Sequence, residues 1–319
     1  MRLAALVLVA CSGGPALVYP VAHTADVADT LHGERVADPY RWLEELGSPG
    51  TRAWVDAETA VTRRWLDGQS SRPAIARELA AAVDFDRTGQ PKRRGTRWFF
   101  TRRTRGHGQP ELVVADSPTG PTTTVIDFDR LSSDGTRAYA GFSPSPRGTY
   151  VAYGLSSGGS DWVDWHVREV ATGRELPDRI AWTKYTGPSW TPDESGFYYS
   201  RFPEPARGSE LVARDLGCTV RWHRLGGGGD DPIVVEDRDH RSWQFEARVT
   251  LDGRWLVVTT SDGQLGDRGV EEVHAIDLRG AASLVPIAVG FDAQFLVVGT
   301  EGTTFFVHTT LDAPTGRVI

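Results

Sequence analysis

The chain has 319 residues with a formal net charge of −7, and 11 Trp, 8 Tyr and 12 Phe give it more aromatic residues than a chain unable to bury surface would carry, which excludes disorder as its main state. The acidic balance leaves no basic excess to neutralise phosphates, so a nucleic-acid binder is excluded as well. Two cysteines, Cys11 and Cys218, can build neither a disulfide framework nor a Cys-based zinc site, and no apolar run approaches the roughly 20 residues of a membrane span.

At the start, Met1-Arg2 is followed by the apolar run Leu3–Ala10 and then Cys11. A charged start, a short apolar core and small residues before a cysteine read as a lipoprotein-type signal over residues 1–18, with lipidation at Cys11 and a cell-envelope location. A buried strand or a misplaced start codon, with a cytoplasmic location, is the alternative. Residues 19–84 are expected to form an N-terminal helical segment, with helix signals over residues 38–83. Asp38-Pro39 caps a segment from Tyr40 to Leu46 that stops at Gly47, and Ser48-Pro49 repeats the start signal. Trp54, Val55, Val61, Trp65 and Leu66 then recur at helical spacing up to Gly68, and Pro73 opens a third helix through Val83.

After Phe85 the helical period disappears. Short β-rich runs follow at Trp98–Thr101, Glu111–Ala115, Thr123–Phe128, Tyr150–Gly154, Trp162–Val170, Phe197–Ser200, Glu210–Arg214, Trp255–Thr260, Val273–Asp277 and Phe305–Thr309, punctuated by Gly, Pro and Asp. Within this stretch a glycine followed by an apolar or aromatic strand recurs at Gly95, Gly148, Gly196, Gly253 and Gly302, at intervals of 48 to 57 residues. The longest interval holds Gly226–Gly229 and Asp230-Asp231, a turn-like insertion. A period near 50 with several strands per unit marks a β-propeller, one blade per unit. Residues 85–319 are therefore expected to form four blades and part of a fifth.

No catalytic constellation is visible. Gly154-Leu155-Ser156-Ser157-Gly158 matches the Gly-x-Ser-x-Gly nucleophile elbow, which requires a strand, a strained turn and a helix. Gly159-Ser160-Asp161-Trp162-Val163 follows instead, a loop entering a strand, so Ser156 is read as a hairpin residue. The eight histidines are scattered without metal-ligand spacing, and Gly226–Gly229 lacks the Lys-Ser/Thr of a phosphate loop. No metal and no cofactor are expected.

Several ordered motifs carry a resemblance: Tyr19-Pro20, the run from His32 to Glu45, Leu131–Thr136, Phe142-Ser143-Pro144, the stretch from Ala152 through Ser160-Asp161-Trp162, Leu176-Pro177-Asp178, and Trp190–Tyr198. Together they resemble the N-terminal half of the prolyl oligopeptidases, strongly over residues 19–200 and more loosely to 319. The Tyr-Gly-Leu-Ser pattern with Ser-Asp-Trp is closer to prolyl oligopeptidase than to oligopeptidase B. The resemblance implies a mainly β fold, a partial seven-bladed-type propeller preceded by a helical segment that packs on the peptidase domain. It also implies a serine peptidase cleaving short proline-containing peptides, monomeric when complete, whose triad lies in a C-terminal α/β-hydrolase domain absent from this sequence. By the same resemblance Asp161 faces that domain and pairs with an Arg that also contacts substrate. Tyr185, where a Phe is usual, lines the pocket for the substrate's outer residues. A non-catalytic propeller that binds a partner is the alternative function.

Overall fold

The computed structural model describes residues 17–132, 135–227, 230–263, 269–280 and 283–319; Cys11 lies outside them. The chain divides into two compact units, one running to Val83 and taking in Arg207–Val212, the other formed by Asp84–Ala206 and Ala213–Ile319.

The first unit opens with a hairpin that the sequence analysis did not anticipate, β1 (Ala28–Leu31) and β2 (Glu34–Ala37). Its turn residues His32 and Gly33 both take positive φ, +53° and +87°, which suits a two-residue hairpin connection. The helix expected over Tyr40–Leu46 is only a 3-10 turn, Arg41–Glu44. Too few residues separate Pro39 from Gly47 for hydrogen bonds to repay helix nucleation. The two longer helices form as their punctuation dictates. In α1 (Pro49–Asp67) the Ser48 hydroxyl accepts from Thr51 N–H, Pro49 occupies the first turn and Gly68 caps the end. α2 spans Arg72–Val83. Trp42 stacks on His23 with ring centroids 4.0 Å apart and meets Trp54 edge-on.

The second unit is a succession of antiparallel sheets, each taken in chain order and here numbered as blades. Blade 1 contains β3 (Arg87–Thr88), β4 (Lys92–Arg94), β5 (Arg97–Arg103), β6 (Glu111–Ala115) and β7 (Thr123–Asp127); β3 and β4 both pair with β5. Blade 2 is the meander β8 (Arg137–Pro144), β9 (Tyr150–Ser157), β10 (Val163–Glu169) and β11 (Glu175–Thr183). Blade 3 is β12 (Ser189–Trp190), β13 (Gly196–Arg201), β14 (Thr219–Arg224) and β15 (Ile233–Glu236). Blade 4 is β16 (Trp243–Val249), β17 (Trp255–Asp262), β18 (Glu271–Asp277) and β19 (Leu284–Ala288). Blade 5 has three strands among the described residues, β20 (Phe295–Glu301), β21 (Thr304–Thr309) and β22 (Arg317–Val318). The strand expected at Glu210–Arg214 is absent. Leu211 and Val212 are exposed and the segment is turn and irregular backbone, because no neighbouring strand pairs with it among the described residues.

Successive side chains of a strand point to opposite faces, and here both faces are buried. Along β9, Val151, Tyr153 and Leu155 join Phe99, Leu112 and Ile126 of blade 1, while Ala152 joins Trp165, Trp190 and Phe197 in the core toward blade 3. Along β17, Leu256 and Val258 face the blade 3 core and Val257 faces Phe295 and Val307 of blade 5. Polar bonds cross each junction: Arg168 to Val125 O at 2.9 Å, Trp190 Nε1 to Ser143 O at 2.9 Å, Ser200 Oγ to Phe245 O at 2.5 Å and Trp255 Nε1 to Gly302 O at 2.9 Å.

The glycine repeat has a backbone cause. Gly95, Gly148, Gly253 and Gly302 take positive φ of +56° to +74° at the tight turns entering their strands. Gly196 does not. A Cβ there would sit 2.0 Å from His223 O, so close strand approach fixes the residue instead. The left-handed residue of that turn is Glu194, φ +62°, whose buried carboxylate accepts from Ser145 Oγ at 2.6 Å and Arg147 N–H at 2.7 Å across the blade 2 junction.

A second junction contact is a buried chain of titratable groups. His223 of β14 places Nε2 2.9 Å from Asp178 Oδ1 of β11 and Nδ1 2.9 Å from Asp231 Oδ2, which also accepts from Tyr199 OH. Burial alone would lower the His223 pKa, but the hydrogen bonds to Asp231 and Asp178 and their negative charges outweigh it and raise it above the ordinary 6.5. The imidazolium therefore contributes stability that is full below the unfolded value and lost as pH climbs through the raised one. We expect His223→Gln to lower stability by about 2 kcal/mol in mild acid, a deficit that shrinks in thermal melts taken up to pH 9; a deficit independent of pH would mean that the imidazole is neutral. Gly196→Ala should cost about 3 kcal/mol by overpacking, read in the same melts, and a neutral effect would contradict the strand approach described.

Candidate functional site

The hairpin joining β9 to β10 turns at Gly158 and Gly159, both with positive φ, and delivers Asp161 and Trp162 to its far end. Asp161 is exposed and makes no hydrogen bond among the described residues. Trp162 turns inward, with its ring edge-on to Trp182 at 5.5 Å and to Phe202 at 6.1 Å between centroids.

Beyond β11 the chain passes directly into Lys184 and Tyr185. The Lys184 ammonium lies 4.0 Å above the Trp162 ring centroid and donates to Asp215 Oδ1 at 2.6 Å. Its side chain is only 8% exposed, so the cation–π contact and the ion pair act away from bulk water, where both are stronger. Tyr185 stands out from the surface, 65% exposed, and its hydroxyl donates to Asp215 Oδ2 at 3.0 Å. Partial covering of that hydroxyl, the hydrogen bond to Asp215 and the negative charges of Asp215 and Asp161 push its pKa up to about 12. The phenol is thus neutral, and Asp161 lies close enough to be felt by it. Asp161 and Tyr185, separated by 23 residues of blade 2, come together on one edge of the unit.

Lys184, Asp215 and Trp182 also belong to this cluster but were not legible as site residues in the sequence. Lys184 carried one signal, being with Lys92 one of two lysines in a chain whose other basic residues are arginine. Asp215 carried none, since its segment was read as the end of a strand.

Other candidates fall away from this edge. Ser156 lies within β9, paired to Ala138 and Val163, and the chain turns into β10 rather than a helix, so no nucleophile elbow forms. A cavity of about 630 Å³ opens among β4, β8, β12 and β16, where Lys92, Arg94 and Arg248 converge beside Phe142 and Trp190. Burial and the charges of Arg94 and Arg248 lower the Lys92 pKa. Neither Asp161 nor Tyr185 lines it.

The sequence of residues 19–319 matches the family described as prolyl oligopeptidase, N-terminal beta-propeller domain. The chain belongs to the prolyl oligopeptidase family. It is 32% identical over 317 residues to the prolyl endopeptidase of Elizabethkingia meningoseptica, covering 99% of this chain and 44% of that protein. To prolyl oligopeptidase A of Galerina marginata it is 30% identical over 342 residues, covering 94% of this chain and 45% of the relative. A solved structure from an analysis of two prolyl endopeptidases superposes with a TM-score of 0.83 at 29% identity, over 94% of this chain and 44% of that one. The chain thus spans less than half the length of the curated relatives it matches, and its sheets are those of the family's propeller domain.

Proposed function

We propose that this chain is the propeller-bearing part of a proline-specific serine oligopeptidase. It regulates entry of short proline-containing peptides, while the nucleophile, base and oxyanion donors reside in a catalytic α/β-hydrolase domain outside these 319 residues. The observation that carries the reading is the family match over residues 19–319, in relatives of which the chain spans 44–45%.

In this reading the Asp161 carboxylate faces the catalytic domain and orients an arginine there by a charge-assisted hydrogen bond, and its exposed, unpaired state among the described residues supports that role. Tyr185 offers its ring to the outer residues of the bound peptide, supported by its exposure on a blade whose other aromatics are buried or half-buried. The leader over residues 1–18 directs the protein to the cell envelope with lipid on Cys11.

Purified 1–319 is expected not to hydrolyse a proline-containing chromogenic peptide, because no nucleophile elbow forms among the described residues to activate and stabilise acyl transfer; turnover by this chain alone would overturn the reading. In the full-length protein Asp161→Ala should lower kcat/KM about tenfold, and Tyr185→Ala should raise KM for longer peptides more than for short ones. Wild-type kinetics for Asp161→Ala, at unchanged melting temperature, would reduce the residue to part of a turn. Mass spectrometry of the mature N-terminus in a bacterial host should show a lipidated Cys11, and an intact unmodified Met1 would place the protein in the cytoplasm.

A further inference from the structure

Tyr185 occupies an unusual piece of backbone. Thr186 N–H donates to Lys184 O at 2.7 Å, closing a three-residue turn around Tyr185, and the φ of Tyr185 is +62°. A γ-turn with positive φ is rare and strained for a residue bearing a Cβ, and such a conformation persists only where the surroundings over-determine it. Trp182, three residues earlier, also has positive φ, +63°. Here the surroundings converge on one carboxylate. Asp215 accepts from the Lys184 ammonium through Oδ1 and from the Tyr185 hydroxyl through Oδ2, so it grips two adjacent residues of the turn from 30 residues away.

Asp215 is itself held. Leu216 N–H donates to Arg214 O at 3.0 Å, and Gly217 N–H donates to Arg241 O at 2.7 Å, which ties the segment to the backbone just ahead of β16. On the other side, Lys184 is sandwiched between Asp215 and the Trp162 ring, and Trp162 directly follows Asp161. Asp215, Lys184, Trp162 and Asp161 therefore form a continuous physical chain linking the turn that carries Tyr185 to the hairpin that carries Asp161.

From this geometry we propose that Asp215 is a positioning residue that holds the Tyr185 ring in its substrate-facing orientation through the paired grip on the Tyr185 hydroxyl and Lys184, and so sets the affinity for the outer residues of a peptide. The proposal rests on the reading of Tyr185 as a substrate-lining residue. A tyrosine, unlike a phenylalanine, supplies the hydroxyl that this grip requires. The alternative is that Asp215 serves only to neutralise the buried Lys184.

The test is steady-state kinetics of the full-length protein on a pair of proline-containing chromogenic peptides, one short and one extended at its N-terminal side. Asp215→Asn and Tyr185→Phe should each raise KM for the extended peptide by roughly threefold to tenfold while kcat stays within about twofold, with little effect on the short one. A threefold to tenfold change is the size of one ordinary net hydrogen bond, and the exposure of Tyr185 keeps its loss below that of a buried bond to a charge. The double variant should be no worse than the more impaired single, since both remove the same contact. Asp215→Glu should restore part of the affinity. If Asp215→Asn fails to fold because Lys184 is left unpaired, Tyr185→Phe alone still decides, as it breaks the hydroxyl bond and spares the ion pair. Normal KM in Tyr185→Phe, or in Asp215→Asn while Tyr185→Ala is impaired, would overturn the positioning role and leave the pocket assignment standing. Normal KM in Tyr185→Ala as well would remove the pocket assignment, and the proposal with it.

Discussion

Everything in the second unit depends on strands that bury both faces. A sheet with one wet face can stand beside a single neighbour, but β9 and β17 are buried on alternate residues against two different cores. Each inner blade is therefore needed by the blades before and after it. This two-sided burial fixes the register of every hairpin, because a one-residue slip would exchange the side chains committed to one core with those committed to the other. The hairpin after β9 and the turn after β11 inherit that precision. Asp161 and Tyr185 lie at the ends of strands that cannot slide, which is how two exposed side chains come to a defined separation without a shared element.

The same constraint explains what the sequence made legible. Strands buried on both faces read as continuous apolar runs, so Tyr150–Gly154 and Trp255–Thr260 stood out, and the repeat glycines recurred because four of the five enter a turn that needs positive φ. The helices α1 and α2 were legible from caps and punctuation, Ser48-Pro49, Gly68 and Pro73. What misled was local composition without a partner. Leu211 and Val212 look like strand residues but have nothing to pair with, and Tyr40–Leu46 has helix boundaries with too little helix between them. The β1–β2 hairpin was hidden because His32 carries no conventional signal for its positive φ.

At the candidate site, sequence supplied the two residues that belong to ordered motifs and none of those that hold them. The reason is distance along the chain. Lys184 and Asp215 are 31 residues apart, with β12 and β13 between them, and no periodicity marks a contact of that kind. The resulting cluster combines an ion pair, a cation–π contact and an edge-on aromatic pair around one buried ammonium. Such an arrangement is sensitive to geometry and favours the compact ammonium of lysine over a planar guanidinium, in a chain whose basic residues other than Lys92 are arginine or histidine.

The indole bonds that cross the blade junctions have a consequence for how damage spreads. Trp190 reaches the blade before it through its bond to Ser143 and its stacking on Tyr150, and Trp255 reaches the blade after it through Gly302 and Phe305. Each seam carries its own apolar core and its own polar stitch, so the assembly behaves as a row of nearest-neighbour couplings rather than one undivided core. Perturbations at separate seams then add as independent quantities, while those within a seam compound one another. A lineage can accordingly repack one seam, or drift a substitution into it, without renegotiating the others. That modularity leaves the edge carrying Asp161 and Tyr185 free to change its side chains while the seam between blades 4 and 5 stays as it is.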